Sequence, residues 1–232
     1  MSDSPVYAVL EKPSMIDFPG HLSAVFFLSG CNFSCGFCHN ATLMGAKQSG
    51  LTWERLDVLC RKFKAEWVDA VCITGGEPTL AADLLELIHF FRDRGFKIKL
   101  DSNGARPDVL KKCLPLIDYI AMDIKAGLSG YPEIAGFLDT GKIAESVKLI
   151  MSSSIDHEFR TTIIHPFHTD EQMLEAGELI QGAQRYVLQA FVPQDTLPGK
   201  EFRDLKRTTP DRLREIEKLM TPFAGKIVVR GA

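Results

Sequence analysis

Three segments of this chain read as strands yet carry polar or charged residues along one side. Side chains alternate along an extended strand, so Phe96-Lys-Ile-Lys-Leu-Asp101 places Phe96, Ile98 and Leu100 on one face and Lys97, Lys99 and Asp101 on the other. In the same way Asp123 and Lys125 lie opposite Ile120, Met122 and Ile124, and Arg160 and Thr162 point away from Phe159, Thr161 and Ile163. The surrounding pattern alternates strand with helix, which implies a parallel sheet joined by helical crossovers. A parallel strand covered by helices on both faces should be apolar throughout. These three are not, and a curved sheet with helices outside and a polar concavity inside accounts for them. Sheet edges open to water are the alternative, weakened because three strands share the pattern.

Strands are expected over 22–28, 68–73, 96–100, 118–124, 158–164, 186–191 and 226–230. A helix starts at about Thr52, a suitable N-cap, with Leu56, Leu59, Cys60 and Phe63 on one face. Others are expected over 84–91, closed by a left-handed Gly95, and over 107–114, 143–151, 171–180 and 213–220. About six βα units result. The expected fold class is α/β, a partial (β/α)6 TIM-like barrel with a mostly parallel curved sheet. Its polar residues gather near strand C-terminal ends, where such folds build their sites. No low-complexity linker divides the 232 residues, so a single domain over 1–232 is expected.

The net charge of −3 and the absence of a long basic run argue against a general nucleic-acid surface. The first ten residues lack the basic start and continuous apolar core of a secretory signal, and no stretch approaches membrane-spanning length, so a cytoplasmic protein with no membrane partner is expected.

The segment 30–40 holds Cys31, Cys35 and Cys38 in a Cys-x3-Cys-x2-Cys pattern. Three thiolates on one short loop can hold three corners of a cubane iron–sulfur cluster and leave the fourth iron without a protein ligand. Structural zinc needs four closed ligands, and His39 follows Cys38 too directly for both to reach one tetrahedral ion easily. No second Cys-x2-Cys pair is present, and a disulfide would leave one thiol over. The spacing favours a cluster, with a zinc-stabilised binding module as the alternative. Cys60, Cys72 and Cys113 fall singly in apolar patterns and read as small buried side chains. After the second strand comes Thr74-Gly-Gly-Glu-Pro78, where adjacent glycines let backbone approach a ligand and Glu77 could meet an ammonium group. Alone, it is also a common turn. Gly136 to Ile143 comes near a phosphate-binding loop but ends in Ile where a magnesium ligand is needed, and reads as a turn entering a helix.

The cysteine loop, with aromatic Phe37 directly before the third cysteine, resembles that of the radical S-adenosylmethionine (SAM) enzymes. Asp17-Phe-Pro-Gly20, Cys38-His-Asn40, Leu100-Asp-Ser-Asn-Gly104, Met122-Asp-Ile-Lys125 and Phe159-Arg-Thr-Thr162 follow in the order seen in glycyl radical enzyme activating enzymes. The likeness is nearest to anaerobic ribonucleoside-triphosphate reductase activating proteins, spans roughly residues 10 to 230, and is more specific in the first half.

This resemblance implies one 4Fe-4S cluster on Cys31, Cys35 and Cys38, whose open iron binds SAM. Gly75, Gly76 and Glu77 would bind the SAM amino group, and Asp123, Lys125 and Arg160 would contact SAM. Asp101, Ser102 and Asp123 form a candidate monovalent-cation site beside the SAM carboxylate. Asp17 would position the partner's loop. The resemblance also implies a glycyl radical enzyme as protein substrate, an anaerobic ribonucleotide reductase among the candidates, and a flavodoxin or ferredoxin as reductant. A radical SAM enzyme acting on a small molecule or nucleobase is the second reading. The more distant relatives carry a SAM-contacting His near the sixth strand, where this chain has Gln189. His165 and His168 are candidates by location, although loop histidines of this kind are usually solvated. About 35 residues separate Cys38 from Thr74 and contain only two isolated cysteines, Cys60 and Cys72, so no ferredoxin-like insert and no second cluster are expected.

Overall fold

The computed structural model describes residues 3–45 and 49–231. The chain packs into two compact units, one of Met1–Asn32, Thr42–Ser102 and Asp108–Ile120, the other of Phe33–Ala41, Asn103–Pro107 and Ala121–Ala232.

In the first unit β1 (Val6–Val9) runs antiparallel to β2 (Ser23–Leu28). There follow α1 (Trp53–Ala65), β3 (Ala70–Gly75), α2 (Leu84–Arg92), β4 (Lys97–Ser102) and α3 (Pro107–Cys113). Strands β2, β3 and β4 are parallel, with Ser23 level with Ala70, Leu28 with Gly75, and Cys72 with Lys99. Thr52 caps α1 by accepting from the Arg55 amide at 3.2 Å. Leu56, Cys60 and Phe63 of α1 and Leu84, Leu87, Ile88 and Phe91 of α2 are buried. The Phe26 ring on β2 lies 6.1 Å from Phe63 and 4.6 Å from Phe91, so both helices cover the apolar face of the sheet.

β5 (Tyr119–Asp123) leads into the second unit. Next come α4 (Tyr131–Ala135), α5 (Thr140–Ser152), β6 (Asp156–Ile163), α6 (Asp170–Leu179), β7 (Tyr186–Ala190), α7 (Lys200–Arg203), α8 (Pro210–Met220) and β8 (Ile227–Arg230). β6, β7 and β8 are parallel, with Phe159 level with Tyr186 and Tyr186 with Ile227. Ile143, Val147 and Ile150 of α5, Met173 and Ala176 of α6, and Leu213, Ile216 and Met220 of α8 form the buried helix faces.

Strand order follows chain order from β1 to β8. With β2–β3–β4 and β6–β7–β8 parallel and helices between the strands, this is the α/β connectivity of a partial (β/α) barrel. All seven expected strands form, with ends displaced by up to two residues. β1 was not expected, because four residues without clear alternation give no strand signal until a partner is known. The short α4 and α7 escape for the same reason. β4 continues past Leu100, which brings Asp101 and Ser102 inside the strand. Gly136, at φ +62°, caps α4 before the turn into α5, as the reading of that run expects. Among the described residues no helix is long and apolar enough to cross a membrane.

α1 ends in a less usual way. The Val68 amide donates to Phe63 O at 3.0 Å and the Trp67 amide to Lys64 O at 3.2 Å, a Schellman arrangement that calls for a left-handed residue at position 67. That residue is Trp67, at φ +64° and 88% exposed, so it bears the steric cost of the conformation with little burial in return. Trp67→Gly should raise unfolding stability by roughly 0.5–1 kcal/mol in denaturant titration. An unchanged or lower midpoint would refute this account of the cap.

Candidate functional site

In the first unit the Gly75-Gly76 turn lies against the backbone leaving β2. The Gly76 amide donates to Leu28 O at 2.9 Å and the Glu77 amide to Gly30 O at 2.8 Å. A Cβ on Gly75, at φ +132°, would overlap Leu28 O, and one on Gly76 would overlap Gly30 O. The glycines are therefore demanded by chain packing, and through it they hold the start of the loop that bears Cys31. Glu77 is buried, and its Oε1 accepts from the Thr79 amide at 3.0 Å, Thr79 Oγ1 at 2.5 Å and Ser102 Oγ at 2.9 Å. Burial first, and then the Glu77 charge, push the Cys113 thiol up to about 12.

Lys99 completes this group. Its side chain is 1% exposed, and its ammonium pairs with Asp101 Oδ1 and lies 3.7 Å from Cys72 Sγ, its register neighbour on β3. The polar face of β4 is thus not uniform, since Lys97 is exposed and Lys99 is buried. Asp17 is not brought to this group. Its loop is tied by reciprocal 2.8 Å backbone bonds between Ser14 and Ser23, at the start of β2, whereas Gly75 stands level with the end of that strand, roughly 17 Å along.

In the second unit Cys35, Phe37 and Cys38 sit on a turn closed by a 3.2 Å bond from the Cys38 amide to Cys35 O. The Ser34 amide donates to Ala135 O at 2.9 Å, the Gly199 amide to Gly36 O at 2.8 Å, and His39 Nε2 to Val192 O at 2.9 Å. The Phe37 ring packs 5.7 Å from Phe202, and Lys125 Nζ lies 5.8 Å from the Phe37 ring centre. Burial raises the Cys38 thiol, opposed by the Asn40 amide and by Lys125.

Asp123 at the end of β5 receives Lys125 Nζ at 2.9 Å on one oxygen and Arg160 Nε and its terminal nitrogen at 2.9 Å on the other. Burial pushes the Asp123 carboxyl up, but Arg160 and Lys125 outweigh it and hold the group well below the usual carboxylate range. Burial lowers Lys125, but Asp123, and after it Cys35 and Cys38, outweigh it and hold the amine above its ordinary value. Gln189 is exposed on β7, level with Thr162 on β6, and so shares the polar face of Arg160 and Thr162.

A family model described as "Radical SAM superfamily" matches residues 25–180. The chain belongs to the radical SAM superfamily. The matched span contains every candidate site residue except Asp17 and Gln189. A Methanocaldococcus jannaschii protein named "putative glycyl-radical enzyme activating enzyme" is 32% identical over 225 residues, covering 94% of this chain and 92% of that one. A Sulfurisphaera tokodaii protein named "probable GTP 3′,8-cyclase" is 39% identical over 207 residues, covering 86% of this chain and 63% of its own length. Among solved structures, Streptococcus suis SuiB bound to precursor peptide SuiA superposes with a TM-score of 0.70 at 17% identity, covering 93% of this chain and 50% of SuiB. That likeness is one of fold, and this radical SAM chain spans half of SuiB's length.

Around Lys125 the radical SAM chain uses residues that the sequence did not single out. Tyr131 Oη accepts from the Lys125 amide at 3.1 Å, and the Ile124 amide donates to Arg160 O at 2.8 Å. His168 corrects an expectation, for it is fully buried rather than solvated, while His165 remains exposed. His168 Nδ1 accepts from the Ile164 amide at 2.9 Å, and Nε2 donates to Lys125 O at 2.8 Å. Lys125 is therefore pinned at both its amide and its carbonyl. Thr79 and Tyr131 carried no signal beyond their residue type, because their partners lie on turns whose course a linear pattern does not give, and His168 was marked only by its location.

Burial lowers the His168 imidazole, opposed by its bonds to Lys125 and Ile164, so the native ring stays neutral where an unfolded one takes a proton. His168→Ala should cost roughly 2 kcal/mol by leaving the Lys125 carbonyl and Ile164 amide without partners, with partial rescue in His168→Gln. The pH dependence has a definite sign. Stability held above about pH 6.5 falls as pH drops through the lowered native value, and His168→Gln flattens the part of that slope not due to His157, whose ring burial also lowers. Urea titrations between pH 5 and 8 would measure both effects, about; a wild-type midpoint in His168→Ala would exclude the anchoring role.

Proposed function

We propose that this chain is a glycyl radical enzyme activase, which uses SAM to abstract a hydrogen atom from a backbone glycine of a partner enzyme. The observation that carries the reading is the similarity to the Methanocaldococcus jannaschii protein, 32% identical over 225 residues with 92% of its length matched. When bound, a 4Fe-4S cluster with one open iron supplies the electron that reductively cleaves SAM to a 5′-deoxyadenosyl radical.

The residues present fit these groups. Cys31, Cys35 and Cys38 offer three thiolate ligands on one loop, and the cation of Lys125 favours thiolate at Cys35 and Cys38. Gly75, Gly76 and Glu77 receive the SAM amino group in this reading, with Glu77 held still by its three donors. Asp123, Lys125 and Arg160 together carry one net positive charge, two cations less one anion, which suits the SAM carboxylate. In this reading Asp101, Ser102 and Phe37 are further cofactor-binding residues, and Gln189 takes the place of the His found in distant relatives. Asp17 serves the partner's loop. In this reading both compact units belong to a single radical SAM domain over 1–232, with a single cluster and no ferredoxin-like insert. An anaerobic ribonucleotide reductase is the candidate partner, with flavodoxin or ferredoxin as reductant.

The 39% identity to the cyclase supports a second reading, a radical SAM enzyme acting on a small molecule or nucleobase. Anaerobic reconstitution with iron and sulfide, followed by reduction with SAM, should yield 5′-deoxyadenosine, and single Cys→Ala changes at 31, 35 or 38 should abolish it. Adding a glycyl radical enzyme should produce the glycyl doublet in electron paramagnetic resonance. Stoichiometric zinc without SAM cleavage would overturn the radical SAM chemistry, and SAM cleavage without a doublet from any candidate partner would favour the second reading.

A further inference from the structure

We propose that Lys99 is a built-in cation that does for the SAM site what the resemblance assigns to a monovalent metal ion. The inference rests on the functional reading above and concerns how that site is charged.

Both carboxylates expected to ligate such an ion are already compensated by protein cations. Asp101 Oδ1 pairs with the Lys99 ammonium. Ser102 Oγ donates its proton to Glu77 Oε1 at 2.9 Å and keeps its lone pairs, but a neutral hydroxyl brings no charge to hold an alkali ion. Asp123 is engaged by Lys125 on one oxygen and by Arg160 on the other. An alkali cation needs several oxygens turned toward it at once. A lysine ammonium brings the same unit charge on three N–H donors, and it carries that charge on the chain itself.

The strand geometry explains why Lys99 reaches this position. Residues 99 and 101 share one face of β4 because side chains alternate, and Cys72 is the register neighbour of Lys99 across β3. The ammonium therefore points along the polar face toward Asp101, and Cys72 Sγ at 3.7 Å packs against it. From Asp101 the chain passes directly to Ser102, which bonds Glu77. A buried ammonium is tolerated only where a carboxylate compensates it, and the pair Lys99–Asp101 meets that condition without an ion from solution. A resident cation of this kind makes SAM binding insensitive to which alkali ion is dissolved. A merely structural counter-ion to Asp101 would affect unfolding and leave the ion specificity of SAM binding unmoved in the variant.

The test uses the reconstituted holoenzyme under anaerobic conditions. SAM affinity by calorimetry and 5′-deoxyadenosine formation are measured in potassium, sodium or tetramethylammonium chloride at equal ionic strength. Wild type is expected to agree within about twofold across the three salts, whereas affinity about fivefold or more tighter in potassium or sodium overturns the proposal. Lys99→Met is expected to bind SAM about tenfold more weakly in tetramethylammonium and to recover in part with potassium or sodium. Wild-type affinity of Lys99→Met in tetramethylammonium also overturns it. Should Lys99→Met fail to fold, the wild-type salt series decides alone. Absence of SAM binding in all three salts overturns the functional reading and the proposal with it, an outcome distinct from salt-dependent binding.

Discussion

A buried carboxylate has to be compensated, and here the compensation comes from a lysine two residues away, within β4 for Asp101 and just past the end of β5 for Asp123. Lys99 meets Asp101, and Lys125 meets Asp123. The period-two geometry of extended chain makes Lys99 and Asp101 neighbours on one face of β4. Arg160 joins the second pair from β6 and turns it into a three-charge cluster. Without these pairings the desolvation of the ions would count against the fold.

Around each pair the backbone is held by close packing and buried hydrogen bonds. Gly75 and Gly76 allow the exit of β3 to touch the exit of β2 with no side chain between them, which ties the glutamate-bearing turn to the start of the cysteine loop. Tyr131 and His168 hold the amide and carbonyl of Lys125, and Thr161 Oγ1 donates to the carbonyl of Ile124 at 2.7 Å. Such contacts restrict a charged side chain by fixing the backbone from which it springs. Orientation of that kind is the protein's share of the work when a cofactor carries the reaction.

Much of this was legible before folding was known. Alternation in the segments ending at Asp101, Lys125 and Ile163 announced a one-sided polar sheet, Thr52 announced the start of α1, and Gly95 the turn after α2. Lys99 was visible on the polar face, but nothing in the linear pattern separated it from the exposed Lys97, because burial depends on the neighbouring strand. His168 was misjudged as solvated because residues in connecting loops usually are, and this one fills a space defined by Lys125, 43 positions away in sequence. β1 and the short α4 and α7 lacked the length over which a period can be read.

The sequence by itself determined the chemistry on offer, since the thiol spacing of Cys31, Cys35 and Cys38, the Gly-Gly-Glu turn and the alternating charges are properties of order along the chain. Tertiary structure alone decided that Lys99 is buried and Lys97 is not, that Arg160 joins Asp123, which histidine is buried, and that the two glycines serve chain packing. Those outcomes depend on distances between residues remote in sequence, and such distances exist only once the sheet has formed.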